Sequence, residues 1–537
     1  MDSPVVTVSE GRLRGRQSDN LDGEKFYSFL GIPYAQPPIG ELRFKAPEAV
    51  KAWNDIKDAT RNPNQCIQRN DVTNIIEGSE DCLYLNVYTK SLPSDNSDLK
   101  PVMVWIHGGG FIMGSNNTKL YGPEHLMIED IVLVCVNFRL GFLGHLFFND
   151  TSLNIHGNAG LKDQQLALEW IQRNIKNFNG DPDNVTIFGE SSGSASVHYH
   201  ITSSRARGLF HKAILQSGCS FCPWARVDEK KYNNFAVQLA QIMNNNVKTE
   251  EEAMEVLMKL SAEDLYVTQE KFILKYGRIG KICPNIEKPN PTAIIPNSPD
   301  ELIVSGKYNQ VPMLIGFTNS EGLLYEIYQQ KELRKGLTPI NYFGVENCIH
   351  PHLQLTESDP KRQVIIDKLK KTYFDKANIN KYMLTTDYYY IAPIMGAAKL
   401  HAKTSPEPVY LFNISLDAGL NYCKRLNNLT HLAGTCHADE LGYLFNISSA
   451  DDYLQKGPTE ILAVRRLVKL WTNFAKYGNP TPEGNDLNVT WKPIDEENLY
   501  FLDIGEELAL DNNPVPERMK IWKEIFQLSP DTKYYLQ

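Results

Sequence analysis

A serine flanked by glycines is the first feature of the sequence that suggests covalent chemistry. GESSG, residues 189–193, has the form G-x-S-x-G and follows the apolar stretch 185–188. A serine that attacks a carbonyl must stand clear of a sheet on a tight strand-to-helix turn, and glycines on both sides let the backbone close there. A helix beginning at Ser192 would point its positive end at the charge that develops on the substrate. The motif predicts Ser191 as a nucleophile, although a simple Gly/Ser turn fits the same five residues.

A run of three glycines upstream could stabilise that negative charge. HGGGF, residues 107–111, follows a second apolar stretch, 102–106. Successive glycines expose backbone N–H groups, and one such donor typically contributes about 2.7–4 kcal/mol to a tetrahedral transition state. A phosphate-binding loop is the alternative, but no Gly-Lys-Ser/Thr follows the run. We predict an oxyanion hole formed by the N–H groups of Gly109, Gly110 and Ser192.

A carboxylate and a histidine that could activate Ser191 follow in the order expected after such a turn. GFTNSEG, residues 316–322, places Glu321 on a loop after a predicted strand, and GTCHADEL, residues 434–441, places His437 on another. His437 would take the proton from Ser191 and return it to the leaving group, while Glu321 would hold the imidazole in position. These residues form the predicted triad.

Other residues of the same types compete for these roles. The chain has 12 histidines, and His198, His200 and His431 lie close to the motifs in sequence. Asp439 and Glu440 are alternative acids, although residues so close to a histidine in sequence rarely face it correctly. A metal site is not expected, because the histidine spacing does not match H-E-x-x-H.

Apolar stretches alternate with helical patterns, and this alternation predicts the architecture. The predicted strands are Val5–Val8, 12–16, 82–88, 102–106, 131–136, 185–188, 213–215, 311–317, 409–412 and 499–502. Helices are predicted at 161–175, from Ser192 and at 517–528. Strands alternating with helices indicate an α/β fold with a large, mostly parallel sheet flanked by helices. One catalytic domain, 1–537, is expected, with a helical insertion near the active site at about 323–400.

Composition and charge exclude several classes of protein. The 537 residues include 42% hydrophobic and 22% charged residues, as in ordinary globular proteins. A formal net charge of −9 argues against nucleic acid or an anionic membrane as a partner. No apolar run is long enough for a transmembrane segment. The first residues lack the basic and apolar regions of a signal peptide, so an intracellular, cytoplasmic location is predicted. Seven N-x-S/T sequons keep open the alternative of secretion, with a signal peptide absent from this numbering.

Several motifs together resemble the type-B carboxylesterase and cholinesterase family. FNGDPDNV, residues 178–185, leads into GESSG as in the family's active-site signature, and EDCLYLNV, residues 80–87, is similar to its second signature. GIPYAQPPIGELRFKAP, NAGLKDQ, GFTNSEG and CHADELGYLF also match in order. The resemblance covers nearly the whole chain and implies the α/β-hydrolase fold. GTCHADELGYLF and the missing leader look like the insect α-esterase branch of this family.

The resemblance implies roles for residues at the matching positions. The family's Ser-Glu-His triad corresponds to Ser191, Glu321 and His437, and its oxyanion donors correspond to Gly109, Gly110 and Ser192. The segment 223–225, PWA, resembles the one whose tryptophan shapes the acyl pocket, so Trp224 is expected to bind substrate.

Two structural pairs are also implied by the resemblance. Arg43 and Glu80 should form an ion pair. Cys66 and Cys82 match a disulfide of secreted relatives, and in a reducing cytosol they would stay thiols.

Some residues depart from the family's pattern. Asn179 replaces the usual Gly or Arg, and Ser192 replaces the common Ala after the nucleophile, although its N–H is unchanged. The turn reads Gly-Glu-Ser, whereas juvenile hormone esterases typically have Gly-Gln-Ser. No second cysteine lies near Cys283 to form the next bridge of the cholinesterases, so acetylcholine is not an expected substrate.

The expected function is that of a serine carboxylesterase that needs no cofactor or metal. The resemblance implies hydrophobic and xenobiotic esters as small-molecule substrates and organophosphates as covalent inhibitors. It also implies a role in detoxification, organophosphate scavenging and insecticide resistance. A hormone or pheromone esterase is the narrower alternative. A non-catalytic, neuroligin-like binding protein is the other, and the intact triad argues against it. The oligomeric state is not predicted.

Overall fold

The computed structural model describes residues 3–70, 73–94, 98–227, 234–277, 282–334, 341–374, 381–495 and 497–530, together with Thr532 and Tyr535. The strands of these residues are β1 (Val5–Val8), β2 (Gly11–Arg14), β3 (Arg16–Asp19), β4 (Lys25–Pro33), β5 (Ile56–Asp58), β6 (Gln68–Arg69), β7 (Ile76–Glu77), β8 (Tyr84–Thr89), β9 (Lys100–Ile106), β10 (Val132–Val136), β11 (Gly180–Glu190), β12 (Lys212–Gln216), β13 (Met313–Thr318), β14 (Val409–Ile414), β15 (Tyr500–Ile504) and β16 (Leu508–Asn512).

The α-helices of the same residues are α1 (Gly141–His145), α2 (Ala159–Asn174), α3 (Ser192–Thr202), α4 (Phe235–Met243), α5 (Glu250–Lys259), α6 (Ala262–Tyr276), α7 (Pro299–Val304), α8 (Leu323–Arg334), α9 (Pro360–Tyr373), α10 (Tyr382–Thr386), α11 (Ala392–Thr404), α12 (Tyr422–Leu426), α13 (Leu441–Leu444), α14 (Pro458–Tyr477) and α15 (Pro516–Phe526). A π-helical turn, Asp387–Ile391, joins α10 to α11.

An eleven-stranded sheet forms the centre of the fold, in the order β16-β15-β14-β13-β12-β11-β9-β10-β8-β4-β3. The strands from β10 to β15 in this order are parallel to one another. At the two sides of this group, β8 pairs antiparallel with β10, β16 with β15, β4 with β8 and β3 with β4. The carboxyl ends of the parallel strands therefore share one edge of the sheet, where a ligand site is expected.

Helices cover both faces of the sheet, and the side chains of β9 show how two cores result. Val102, Val104 and Ile106 enter one apolar cluster, and Met103 and Trp105 enter the other. Successive side chains of a strand point to opposite faces, so an unbroken apolar strand feeds both cores. The apolar face of α2 packs in the first cluster and that of α14 in the second.

The predicted α/β architecture with a mostly parallel sheet is confirmed. The stretch 12–16 was expected as one strand, but Gly15 divides it into β2, in a small separate sheet, and β3, in the central sheet. A Cβ at Gly15 would overlap the ring of Phe29. The chain therefore passes from one sheet to the other at the only glycine of the stretch 12–16. Strands β4 and β16 were not predicted. Gly31 and Pro33 interrupt the apolar pattern of β4, and β16 is a short edge strand without buried residues.

The segment expected to form the helical insertion contains α8, α9, α10, the π-helical turn and α11, with 335–340 and 375–380 outside the described residues. Its definition as an insertion stays a prediction. None of the helices in the described ranges combines the length and the apolarity that a bilayer crossing requires.

A disulfide and an ion pair hold the N-terminal loops together, and Arg43 also contacts the end of a helix. Cys66 and Cys82 are bonded, with their Cα atoms 5.0 Å apart, as in the secreted relatives and not as expected for a reducing cytosol. The implied pair of Arg43 and Glu80 is present with two contacts, Nε–Oε1 at 2.6 Å and Nη2–Oε2 at 2.5 Å. Arg43 Nη1 also donates to the Leu260 carbonyl oxygen at 2.7 Å, just after α5, where a cation satisfies unpaired helix carbonyls.

Removing the disulfide should destabilise the protein. Replacing Cys66 and Cys82 with alanine is expected to lower the free energy of unfolding by about 3 kcal/mol, because the bridge restrains a short loop of the unfolded chain. Urea denaturation with and without dithiothreitol measures this, with the double variant as control. Reduction should destabilise the wild type and leave the variant unchanged. Equal curves for oxidised and reduced wild type would contradict the bridge.

Candidate active site

The turn at Ser191 has the strand-to-helix geometry that the sequence predicted for a nucleophile. β11 ends at Glu190 and α3 begins at Ser192, so Ser191 alone makes the turn. Its backbone has φ 56° and ψ −123°, a strained conformation for a residue with a side chain. The Ser191 N–H is fixed by a 2.8 Å hydrogen bond to the Gln216 carbonyl oxygen of β12. A Cβ at Gly193 would overlap the Ile106 carbonyl oxygen, so glycine is required for α3 to approach the end of β9.

The glycine run lies directly against this turn. A Cβ at Gly108 would lie 3.2 Å from the Cβ of Ser191. Gly109 and Gly110 have φ of 115° and 61°, and a Cβ at Gly109 would overlap the Met113 carbonyl oxygen. Within the described ranges, the N–H groups of Gly109, Gly110 and Ser192 have no hydrogen-bond acceptor. Three backbone donors beside one serine are therefore available to a substrate oxygen.

The structure brings Glu321 and His437 together. Glu321 lies three residues after β13 ends at Thr318, and its Oε2 is 2.5 Å from His437 Nδ1. The Thr318 N–H donates to Glu321 Oε1 at 2.8 Å, and both members of the pair are buried. The two loops are joined by the Ser320 N–H, which donates to the Thr435 carbonyl oxygen at 3.1 Å. These contacts fix the orientation of the imidazole.

The other edge of the imidazole faces a carboxylate that sequence reasoning did not select. His437 Nε2 lies 2.9 Å from Glu190 Oε1, but this contact is not aligned as a hydrogen bond. Among the described residues the Ser191 hydroxyl makes no hydrogen bond to His437. Glu190 is the variable residue of G-x-S-x-G, and its acidic character was the only signal in the sequence.

Two carboxylates thus control the protonation of His437. Burial alone would lower the pKa of His437, but the negative charges of Glu190 and Glu321 raise it well above its usual value. Burial raises the pKa of Glu190, and the His437 charge opposes that rise. Because a lone pair on Nε2 would repel an ionised Glu190, the 2.9 Å contact requires a proton on one partner.

The competing histidines have other partners in the structure. His198 Nε2 lies 2.8 Å from His401 Nε2, and His200 Nε2 donates to Gln164 Oε1 at 2.9 Å. His431 is exposed. None of the three shows the contact with a carboxylate that His437 makes.

The competing acids shape the loop that carries His437. Asp439 Oδ2 accepts the Cys436 N–H at 2.8 Å, and burial raises the pKa of Asp439 to about 7. Gln216 Nε2 donates to Glu440 Oε1 at 2.9 Å, and burial, with the nearby charge of Glu190, raises the pKa of Glu440 to about 8. Both carboxyl groups therefore stabilise the surroundings of the imidazole.

Three aromatic side chains lie near Ser191 and His437. The Trp224 ring lies 6.5 Å from the ring of Phe111 and 5.9 Å from that of Tyr390, and Tyr390 lies 4.8 Å from the His437 ring. A Cβ at Gly218 would touch both the Ser191 carbonyl oxygen and, at 3.0 Å, Trp224 Cη2, so a glycine lets the indole approach the nucleophile. The indole of Trp224 therefore lies near Ser191, and its role in binding substrate stays a prediction.

Phe111 and Tyr390 were missed by sequence reasoning. Phe111 directly follows the glycine run, and Tyr390 lies on the π-helical turn Asp387–Ile391. π-Helical turns occur frequently at functional sites. A run of three tyrosines, 388–390, was the only signal in the sequence.

The strand-turn-helix nucleophile, the glycine loop and the acid and histidine loops on neighbouring strands define the α/β-hydrolase fold. The sequence model of the carboxylesterase family matches residues 2–522. The chain therefore belongs to the carboxylesterase family. As the sequence predicted, it is a serine carboxylesterase.

Insect esterases are among its relatives. Juvenile hormone esterase of Heliothis virescens is 33% identical over 507 residues, covering 91% of the chain and 88% of that protein. Esterase B1 of Culex pipiens is 31% identical over 554 residues, covering 98% of each. The crystal structure of juvenile hormone esterase from Manduca sexta, with OTFP covalently attached, has a TM-score of 0.85 at 30% identity and covers 98% of this chain and 100% of that one.

Neutralising Glu190 should lower the pKa of His437. The Glu190→Gln substitution removes one of the two charges that favour the imidazolium, so the imidazole should lose its proton at lower pH than in the wild type. A titration of the His437 ring by NMR measures the shift. Glu251→Gln, on the exposed face of α5, is the control and should not move it. An unchanged or raised pKa of His437 in Glu190→Gln would contradict the electrostatic argument.

Proposed function

We propose that the protein hydrolyses hydrophobic carboxylic esters through an acyl-enzyme on Ser191. The observation that carries this proposal is the 2.5 Å contact between Glu321 and His437, on loops beside a strained serine turn. Three N–H groups at this turn have no acceptor among the residues that the structure describes. An imidazole oriented by a carboxylate, a serine and aligned amides are the components that acyl transfer requires.

The first step forms the acyl-enzyme. Ser191 Oγ attacks the ester carbonyl carbon, His437 Nε2 takes the hydroxyl proton, and Glu321 stabilises the imidazolium through Nδ1. The carbonyl oxygen becomes negative and accepts hydrogen bonds from the N–H groups of Gly109, Gly110 and Ser192. When the tetrahedral intermediate collapses, the C–O bond to the alcohol breaks and His437 protonates the departing oxygen.

The second step releases the acid. His437 takes a proton from water, the resulting hydroxide attacks the acyl carbon, and the oxyanion donors again stabilise the intermediate. Ser191 leaves with the proton from His437, which restores the enzyme. No step requires a metal or a cofactor.

Glu190 and Ser191 compete for the same nitrogen of His437. In the structure Nε2 faces Glu190 at 2.9 Å. The imidazole must turn this nitrogen towards Ser191 Oγ, and Nε2 must be unprotonated, before it can accept the proton. Catalytic hydrogen bonds are often long or misaligned in a free enzyme and tighten when substrate binds.

The substrate class follows from the aromatic surroundings of the nucleophile. Trp224, Phe111 and Tyr390 present apolar ring surfaces, which favour hydrophobic acyl groups. We therefore propose xenobiotic esters as substrates and detoxification as the role. Organophosphates should react with Ser191, because their phosphoryl oxygen fits the same N–H donors. The covalently attached OTFP of the Manduca sexta relative supports an accessible nucleophile in this fold.

A hormone esterase is the second candidate. Two of the relatives described above are juvenile hormone esterases, from Heliothis virescens and Manduca sexta. Against this candidate, Glu190 precedes the serine, whereas juvenile hormone esterases typically have a glutamine at that position. A hydrolysis panel of juvenile hormone, xenobiotic esters and simple alkyl esters separates the candidates, since a hormone esterase should show a large kcat/KM for the hormone alone.

The disulfide favours secretion over the predicted intracellular location. Bridges such as Cys66–Cys82 persist in oxidising compartments and are rare in the cytosol. The sequon residues Asn428 and Asn488 are exposed, so a glycan could be accommodated there.

Removing the nucleophile should abolish turnover. Ser191→Ala is expected to lower kcat for p-nitrophenyl butyrate by about 10⁶-fold. The exposed Ser204→Ala is the matched control and should keep wild-type activity. The wild type should also release a burst of p-nitrophenol equal to the enzyme concentration when deacylation is slow. Similar rates for Ser191→Ala and wild type would disprove the assignment.

Enlarging the aromatic pocket should change the acyl preference. Trp224→Leu is expected to raise kcat/KM for p-nitrophenyl esters of bulky acids, relative to the acetate, by about 10-fold, because the indole limits the space beside Ser191. Trp53→Leu, in the N-terminal region, is the matched control. An unchanged ratio in Trp224→Leu would show that this ring does not limit the size of the acyl group.

A further inference from the structure

The ring of Tyr535 is buried far along the chain from every predicted site residue. Its exposed fraction is 0%, and it follows the end of α15 at Phe526 by nine positions. It stacks face to face on the ring of Phe221, with centroids 4.8 Å apart and planes 4° from parallel. Such close, flat contact fixes the position of both rings.

Three further groups hold the stacked pair in place. The Tyr535 hydroxyl lies 2.8 Å from His352 Nδ1, and the Phe526 ring packs at 5.0 Å from the Tyr535 ring. His350 Nε2 donates to the Phe221 carbonyl oxygen at 3.2 Å and its ring lies 6.1 Å from that of Tyr535. Both the side chain and the main chain of Phe221 are therefore restrained from this side.

Phe221 belongs to the segment that carries Trp224 to the active site. The Cys222 N–H donates to the Cys219 carbonyl oxygen at 3.1 Å, and the Ala225 N–H donates to that of Cys222 at 2.9 Å. These two turns make 219–225 a short, stiff unit. Within this unit, Phe221 stacks on Tyr535, and Trp224 places its indole near Ser191.

We propose that Tyr535 is a positioning residue that sets the acyl preference through Phe221 and Trp224. Its ring packs against Phe221 within the segment 219–225, so its loss leaves Phe221 without its stacking partner and lets the segment shift relative to Ser191. Displacements of about 1 Å at a reacting centre can change rates by about 10²-fold. The inference rests on the proposed function, because it assigns Trp224 to the acyl pocket.

A residue that only stabilised the fold would affect all substrates equally. Partial unfolding lowers the concentration of active enzyme, and this factor cancels in the ratio of kcat/KM for two esters measured on one sample. The ratio for p-nitrophenyl butyrate over p-nitrophenyl acetate therefore reports the pocket alone, even where a variant is destabilised.

Four variants test the proposal. Tyr535→Leu removes the ring and should change the butyrate-to-acetate ratio by about 5- to 10-fold. Tyr535→Phe keeps the ring and loses the hydroxyl, so its ratio should stay within about 2-fold of wild type if stacking carries the effect. Tyr477→Leu, whose side chain is exposed, is the matched control. Phe221→Leu removes the other half of the stack and should reproduce the change of Tyr535→Leu.

The outcomes separate this inference from the function on which it rests. An unchanged ratio in Tyr535→Leu, in an enzyme whose activity depends on Ser191, would overturn the positioning role and leave the esterase proposal intact. An equal change in Tyr477→Leu would overturn it also. Hydrolysis at the wild-type rate by the Ser191→Ala variant would overturn both the positioning role and the esterase proposal.

Discussion

The approach of α3 to the end of β9 is the contact on which the site depends. No side chain fits between Gly193 and the Ile106 carbonyl oxygen, so the helix can begin only where it does. This closeness forces Ser191 into a strained conformation and lifts its hydroxyl from the sheet. The same strand end begins the glycine loop. One steric constraint therefore places both the proposed nucleophile and the N–H groups proposed to stabilise the oxyanion.

The imidazole depends on tertiary structure more than on its own loop. β13 and β14 are neighbours, so the loops after them meet and bring Glu321 against His437 across 116 positions of the chain. Glu190 arrives from β11 on the opposite side. A buried histidine between two carboxylates keeps its proton to higher pH than a free one. The proposed role of His437 therefore depends on the carboxyl groups on both sides of its ring.

The local features were predictable and the contacts between distant segments were not. G-x-S-x-G and the triple glycine encode their turns in adjacent residues, so Ser191 and Gly110 could be found from spacing. Glu321 and His437 were two among many acids and histidines. Their order after the serine and their position on loops favoured them, and the resemblance to a family supported the choice. Glu190 and Tyr390 were missed because their roles arise from packing that no periodicity reports. The parallel strands were recognised from unbroken apolar runs, whereas β16 lacks this signal.

The alternation of side chains along β9 makes the catalytic edge intolerant of insertions. Val104 and Trp105 fill separate cores on opposite faces of the sheet. Adding or deleting one residue within the strand would exchange the two sets and rotate everything downstream by half a turn. Evolution of new specificity should therefore proceed by changing loop lengths and ring sizes around the pocket, while the number of residues in this strand stays constant.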